Sequence, residues 1–552
     1  IHTAWQKWQT GITDHLDGEL AFIVCDTREN RLYAVRTPGS ALPIFYHISD
    51  DRIVLASAPK GIFALGDIPR EVDEQRIADS LILNYEDRES SFYKNIRSAP
   101  LGHIMEVRSD RVAMHRYHDL GDAPAVRFAN DADYAEAANE LLQRSVVNHM
   151  RAETTPAATL SSGLDSPSVV VCALEHLARQ SGGTAEPLIS FTSVPEPGWD
   201  GRAHGNGRVG DESGPVRALA RRYPELDARF VDSAGRSIDH DLDKIILLAE
   251  APPFGIGNLH WANDIQRLAA AEGRHVILGG ASGNQTFSFS GSSIYAQLLR
   301  QGRLIKLARE LYHIGEPGAR WRGIYSRVFK PHLPANWARK IQQMRGIAEG
   351  SGWPIFSAVN TDYAADMQVD ERAEKMGHDH GFSGFVRLRD AMNQMANSGV
   401  GEAGQAVRSA LQTLSGVQGR DPMGSRKIAE FCAGLPADQY IRNGEDRLLI
   451  KRMMAGRLPE EILAAPRGRQ AADKHLRMTR DLPRYHEEIE RMGDNPDMAQ
   501  RFDVPRLKRL LDSWPEKTPV CDDDHPDYKI ALIGMNRAIA TSRFINWVNG
   551  KN

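Results

Sequence analysis

The sequence predicts an α/β protein in two parts, and three observations carry the prediction. Residues 18–65 break into short runs rich in β-branched and aromatic residues, each closed by polar, Gly or Pro punctuation. From Tyr134 onward, strand-like apolar runs alternate with helical patterns, the signature of a doubly wound parallel sheet. Beyond residue 295 nearly everything scans as helix.

In the first part, "ELAFIVCD" (19–26), "RLYAVR" (31–36), "PIFYHI" (43–48) and "RIVLAS" (52–57) read as strands of a hairpin sheet. A helix is expected around 72–83. "LGHIMEV" (101–107) and "RVAMHRY" (111–117) then form another hairpin. The segment "HDLGDAPAVRFANDAD" clusters Gly, Pro and Asp, which places a domain boundary near 125 and divides the chain into 1–125 and 126–552. The second part opens with a long helix (about 132–152), a strand (156–160) and a helix (166–179). There follow a strand (188–193), a helix (about 213–223), a strand (228–232), helices at about 240–250 and 259–272, and a strand (275–280). The intervals 200–214 and 347–385 are Gly-rich or polar and are expected to be loops.

The chain has 552 residues, 41% hydrophobic and 25% charged, with a formal net charge of -4. That balance fits a packed globular protein and gives no global attraction to nucleic acid or to acidic membranes. The four cysteines, Cys25, Cys172, Cys432 and Cys521, form no metal-ligand spacing and are too few for a disulfide framework. A reducing, cytoplasmic setting is expected. No run approaches the ~18–20 apolar residues that span a bilayer, and no signal peptide is visible. The opening on Ile1 rather than Met leaves room for a preceding segment.

Chemistry concentrates in "TLSSGLDSPS" (159–168). Leu160 ends a strand, and Pro167 sits in the first turn of the next helix, where its missing N–H costs nothing. Ser161, Ser162, Gly163 and Ser166 are small enough for backbone amides to approach an anion at the helix N-terminus. Asp165 would repel a bare phosphate and makes sense with Mg²⁺ between them. An ordinary capped strand–turn–helix explains the same residues equally well. Neither a P-loop nor a dinucleotide-binding glycine pattern is present.

"LSSGLDSPS" resembles the SGGLDSS pyrophosphate loop of the asparagine synthetase family, ATP pyrophosphatases that adenylate a carboxylate. Ser162 departs from the first family Gly and Pro167 from a family Ser. "GGASGNQ" (279–285) is similar in position and glycine content to the family's SGEGSDE, and "GVQGRDPMGSRKIAEFCAGLP" (416–436) to its GVEARxPFLD segment. "APRGRQ" (465–470) falls at the family's RPKxGF, so that Arg467 stands in for a phosphate-contacting Lys. The resemblance implies that Ser161, Ser162, Gly163, Asp165, Ser166, Gly280, Ser282 and Arg467 bind ATP. It also implies that Asp165 holds Mg²⁺ and that Asp165, Asn284 and Arg467 serve catalysis. The second part is then an adenine nucleotide α-hydrolase-like doubly wound sheet with a helical C-terminal region.

The front part resembles the family's class II glutaminase domain, of Ntn type with αββα layers, through "GELAFIVCD", "RTPGSALPIFY", "LASAPKGI" and "APLGHIMEV". That domain uses an N-terminal Cys as nucleophile. Here "IHTAWQ" opens the sequence and Cys25 lies in an expected strand, so a degenerate domain without glutaminase activity is expected.

"GNQTFS" (283–288), "NLHWAND" (258–264), "GWDGR" (198–202), "RGRQAAD" (467–473) and "RFINWVNG" (543–550) are similar to the lasso peptide macrolactam synthetases. In that branch ATP adenylates an Asp or Glu side chain of a precursor peptide. The peptide's N-terminal amine then closes the ring and releases AMP. The family's Glu and Asp in SGEGSDE are replaced by Ala281 and Asn284. Implied partners are the precursor peptide, a leader-binding protein and a cysteine leader peptidase. Asn258, Trp261 and Asn263 are candidate peptide contacts, although helical spacing fits Trp261 equally well to a core. Asp211 and Glu212 read as helix-starting carboxylates, and the scattered His residues give no zinc spacing. A β-lactam synthetase-like ligase for a small molecule, or a non-catalytic scaffold motivated by Ala281 and Asn284, are the competing expectations.

Overall fold

The computed structural model describes the chain apart from residues 110, 182–185, 206, 314–323, 334–336, 338–351, 379–383, 398, 467, 469, 522–524, 526 and 551–552. The front part contains β1 (Ala21–Asp26), β2 (Arg31–Arg36), β3 (Phe45–Ile48), β4 (Ile53–Ala56), β5 (Arg97–Ser98), β6 (His103–Val107) and β7 (Val112–Arg116). They form two antiparallel sheets with orders β1-β2-β6-β7 and β4-β3-β5. Side chains alternate across a strand, and β2 shows the result. Ala34 packs with Ile44, Tyr46, Ala99 and Met105 between the sheets. Tyr33 and Val35 point the other way and meet Trp5 of the helix His2–Trp8, with Ile12. Beyond the second sheet, Phe45, Val54 and Ala56 pack on a core that includes Ile539 and Phe544 of the C-terminal helix Asn536–Val548. The layers run helix, sheet, sheet, helix.

The second part is built on β8 (Ala157–Thr159), β9 (Leu188–Ser193), β10 (Leu226–Val231), β11 (Val276–Leu278) and β12 (Gln418–Arg420). All pairs are parallel, in the order β10-β9-β8-β11-β12. Connections therefore leave β8 in both directions across the sheet, and the crevice beyond the C-terminal ends of β8 and β11 is a topological switch point. Both faces of the sheet are covered. Ala157, Ile189, Phe191 and Ile277 meet Ile265 and Ala269 of the helix Leu259–Ala271. Ala158, Leu188 and Leu278 turn to the opposite face and share a core with Leu142, Val146 and Val169, from the helices Asp131–His149 and Asp165–Ser181.

Observed boundaries fall within a few residues of the expected ones over most of the chain, and Cys25 lies exposed on β1. The described part of the region beyond 295 is largely helical, as expected; its strand is Gln418–Arg420, which pairs with β11 in the register Val276↔Gln418 and Leu278↔Arg420. Gln, Gly and Arg have little strand preference; a buried sheet edge makes the strand. The interval 347–385 is not all loop, since its described part contains the helices Thr361–Asp366 and Val369–Lys375. Among the described residues, no helix is long and apolar enough to cross a membrane.

The two parts are joined by polar contacts on helices of the second. Glu402 accepts the Leu101 N–H at 3.0 Å, Arg408 reaches Glu19 at 2.5 Å, and Arg426 donates to the Thr13 carbonyl at 2.7 Å. A second polar network lies deeper. Arg477, 1% exposed, pairs with Asp473 at 2.6 Å and Glu196 at 3.1 Å and donates to the carbonyls of Asp232, Ser233 and Arg236. The Glu196 N–H donates to Asp473 at 2.9 Å. The network ties the segments after β9 and β10 to the helix Lys474–Arg480. Removing one member of such a buried set strands the others without compensation. Arg477→Ala is expected to lower unfolding stability by about 3–5 kcal/mol in chemical denaturation; a loss under about 1 kcal/mol would mean that water reaches the carboxylates.

Candidate active site at the sheet switch point

Two loops meet in the crevice. The first follows β8. Its Ser161 N–H donates to Ser166 Oγ at 3.0 Å, and the two hydroxyls lie 3.0 Å apart, so the turn closes on the start of the helix Asp165–Ser181. Ser162 is buried, and both its N–H (3.0 Å) and its hydroxyl (2.7 Å) donate to Glu212 Oε1. Glu212 is therefore more than a helix-starting carboxylate. It caps none of the following helix's amides and braces the anion loop instead. An added Cβ at Gly468 would run into the same carboxylate, so Gly468 packs on this brace.

The second loop follows β11. An added Cβ at Gly280 would lie 2.9 Å from Asp165 C and Ser166 N, and one at Gly283 would overlap the Asp165 carboxylate. Glycine at both positions lets the loops interlock. Asp421, just past β12, fixes the far side by accepting the Ser282 N–H at 2.7 Å and the Met423 N–H at 3.1 Å. At the mouth, Arg447 Nη2 donates to Asn284 Oδ1 at 3.3 Å. Asp165 Oδ1 is withdrawn from solvent and has no hydrogen-bond partner. Burial pushes the Asp165 carboxyl up to about 6, against the pull of nearby Ser288 and Arg447.

A cavity of about 1650 Å³ opens from these loops. Ser161, Gly163, Asp165, Ser166, Gly280, Asn284, Asn258 and Trp261 all line it, as does the unanticipated Arg447. Ser162 and Ser282 instead hold their loops through Glu212 and Asp421. Asn263 does not reach the cavity. It is two residues past Trp261, about 200° around the helix, and its amide donates to Asp241 at 2.7 Å. Asn258, Trp261 and Ile265 share the cavity-facing side, with Trp261 half-buried against the core as well. Arg467 lies outside the described residues.

Asp421 and Arg447 were not singled out in the sequence, and Glu212 was read only as a helix-starting carboxylate. Glu212 carried a signal, an acid beside a helix start, that fits capping equally well. Arg447 carried none.

The small-residue loop at the N-terminus of a long helix fits a phosphate chain. Among the described residues, no cluster of three or more His, Cys, Asp or Glu is placed to hold a metal. Mg²⁺ needs no such cage, because it uses one or two carboxylates with substrate phosphates and water. The unpartnered Asp165 Oδ1 facing this loop fits that donor set.

A switch-point cleft with an anion loop, lined by Asp165, Glu212 and Asp446, defines a doubly wound α/β protein with a ligand site at the strand ends. Residues 137–541 match the asparagine synthase family model and residues 1–118 match a glutamine amidotransferase domain. The chain belongs to the asparagine synthase family. It is 28% identical over 200 residues, 35% of its length, to a putative glutamine-hydrolyzing asparagine synthetase of Mycobacterium tuberculosis. It is 24% identical over 248 residues (45%) to glutamine-hydrolyzing asparagine synthetase 3 of Bacillus subtilis, and 27% over 280 residues (49%) to amidase chry2 of Gibberella zeae. The matched segments span 29%, 39% and 39% of those proteins' own lengths.

Two outcomes follow from the Asp165 contact. Gly283→Ala should displace the carboxylate and lower kcat/KM for nucleotide-dependent turnover by about 100-fold, the scale of a ~1 Å misplacement in such sites. Wild-type kinetics would show that the loops have slack. In metal-free protein, Asp165 binds its proton more tightly folded than unfolded. The cost of ionising it is absent below the ordinary value of 3.8 and full above about 6. Asp165→Asn should therefore raise stability at pH 7.5 by about 1–2 kcal/mol and leave it unchanged near pH 4, as read by thermal melts in EDTA. Destabilisation at pH 7.5 would overturn the assignment.

Proposed function

We propose that this chain is an ATP-dependent, AMP-forming carbon–nitrogen ligase that closes a macrolactam in a lasso precursor peptide. The observation that carries the reading is the cavity volume. At about 1650 Å³ it exceeds the ~300–1,000 Å³ of ordinary small-molecule sites. Besides the anion loop and Asn284 its lining includes Phe289, Tyr295, Phe385 and Met395, a mix that suits a folded peptide beside a nucleotide.

The peptide's Asp or Glu carboxylate attacks the α-phosphorus of ATP, and pyrophosphate leaves. The peptide's α-amine then attacks the acyl carbon, AMP leaves, and the amine gives up a proton. The 160–166 loop binds the phosphates, and the wall bearing Asn258 and Trp261 orients the peptide. Mg²⁺ held by Asp165 would neutralise phosphate charge when bound. Residue 281, where the family resemblance puts a Glu associated with general-base chemistry, is an exposed Ala. A peptide α-amine has a pKa of roughly 7.7–8.0 and needs little help to lose its proton near neutrality. The proposal includes a leader-binding protein and a cysteine leader peptidase as partners, and a cytoplasmic location.

Incubation with ATP, Mg²⁺ and leader-free peptides bearing Gly or Ala first and Asp or Glu a few residues in should give a product one water lighter, with equimolar AMP. The rate should follow the peptide amine in a pH profile. Turnover of a small amino acid in place of every peptide would favour the β-lactam synthetase-like reading. Absence of AMP with all substrates would favour a scaffold.

A further inference from the structure

Two segments of the cavity lining, 288–295 and 441–447, pack on one another. An added Cβ at Gly291 would lie 2.8 Å from Tyr440 Cβ and Ile441 Cγ2. In the second segment Arg442 and Glu445 exchange backbone hydrogen bonds of 3.0 and 3.1 Å around Asn443 and Gly444. Their φ values of +52° and +78° make the two-residue hairpin turn that favours Asn-Gly. Behind the turn, Glu310 accepts the Gly444 N–H at 3.4 Å, and the His313 carbonyl meets Gly444. Asp446 and Arg447 then enter the lining, and Arg447, with φ +57°, turns to Asn284. Asp446 stands near Tyr295. Burial holds the Tyr295 phenol above its ordinary value, the Arg327 guanidinium opposes it, and Glu310 and Asp446 add to it. Two residues before Tyr295, Ser293 is 7% exposed; its hydroxyl has no hydrogen-bond partner and does not cap the helix that follows. A buried hydroxyl left unmatched costs stability unless a ligand meets it.

The other charges of the lining are already placed. Asp165 is locked against Gly283, and Glu212 holds the Ser162 N–H and hydroxyl. Arg208 reaches the Gly468 carbonyl at 3.5 Å, Lys474 packs along Gly257, and Arg327 lies 6.0 Å over the Tyr295 ring. Asp446 is the lining carboxylate that belongs to neither the anion loop nor its brace.

We propose that Asp446 and the Ser293 hydroxyl hold the α-ammonium of the substrate peptide, fixing its N-terminus in the cavity before ring closure. An ammonium carries only donors, and a carboxylate and a hydroxyl oxygen both accept. The inference rests on the macrolactam reading and adds to it the place where the nucleophile is gathered.

Synthetic leader-free peptides, Gly or Ala first and Asn or Gln at the cyclising position, are titrated calorimetrically into the full chain at about pH 6.5, where an α-amine of pKa roughly 7.7–8.0 is charged. N-terminal acetylation should weaken binding about tenfold to a hundredfold, the scale of a charged hydrogen bond. Asp446→Asn should weaken the free peptide by a similar factor and remove most of the acetylation effect, and Ser293→Ala should remove a smaller part. With the reactive carboxylate restored, Asp446→Asn should move the pH midpoint of ring closure lower, because the wild-type carboxylate favours the protonated amine. If Asp446→Asn does not melt cooperatively, Ser293→Ala decides, and an undiminished acetylation effect there overturns the inference. Equal binding of free and acetylated peptides by wild type overturns it too, as does an acetylation effect or a midpoint that Asp446→Asn leaves intact. In those cases ring closure by the wild type keeps the macrolactam reading. No binding of any peptide, with no AMP formed, overturns both. An Asp446-dependent acetylation effect in a chain that closes no ring supports the ammonium site and overturns only the macrolactam reading.

Discussion

The Asp165 carboxylate occupies the space that a side chain at Gly283 would fill, the Asp165–Ser166 backbone occupies that beside Gly280, and the cleft is organised by these contacts. Two loops from neighbouring parallel strands become one unit, because neither can move without the other. The arrangement costs stability. Asp165 Oδ1 is withdrawn from water without a hydrogen-bond donor, and the carboxyl is held up near 6. A buried acceptor left unmatched disfavours the folded chain by about 1–3 kcal/mol. A chain selected for stability alone would replace it, and its retention is the mark of a site arranged for a ligand.

Three further carboxylates brace the unit by one device, each accepting a backbone N–H. Glu212 takes Ser162 after β8, Asp421 takes Ser282 after β11, and Asp473 takes Glu196 after β9. Asp473 is neutralised by Arg477, so its charge is compensated within the protein. The loops at the switch point are thus held from below, at the strand ends, while the cavity above them stays wide.

This division explains what the sequence could and could not reveal. Strand and helix periodicity is a property of neighbouring residues, so β1 to β4, β6 to β11 and the helices around them are legible from local pattern, whereas the two-residue β5 is too short to leave one. The anion loop is legible because a phosphate needs small residues at a helix start. β12 is not, because its three residues become a strand only through pairing with β11. Glu212 looked like a helix-starting acid because sequence cannot say which amide a carboxylate meets fifty residues away. Asn263 and Trp261 lie side by side in the chain, yet a rotation of about 200° separates their faces. Arg447 is marked by backbone strain and a partner 163 residues distant, neither of which leaves a trace in local sequence.

Under the proposed reading, the same logic accounts for the loss of an acid at 281 and the breadth of the cavity. A positioned general base is worth about 10²–10⁴-fold, or roughly 3–5 kcal/mol. Holding two ends of one molecule together is worth about 7–11 kcal/mol. A free nucleophile such as ammonia gains from the base because the site has little to grip. An amine tethered to its own electrophile gains more from a wall that shapes the tether. Carrying Ala281 beside a broad cavity gives up the smaller term and leaves room for the larger. The exchange favours catalysis only when nucleophile and carboxylate belong to the same flexible molecule, so under this reading a cleft with Ala281 at its turn and a cavity of about 1650 Å³ fits a substrate that reacts with itself.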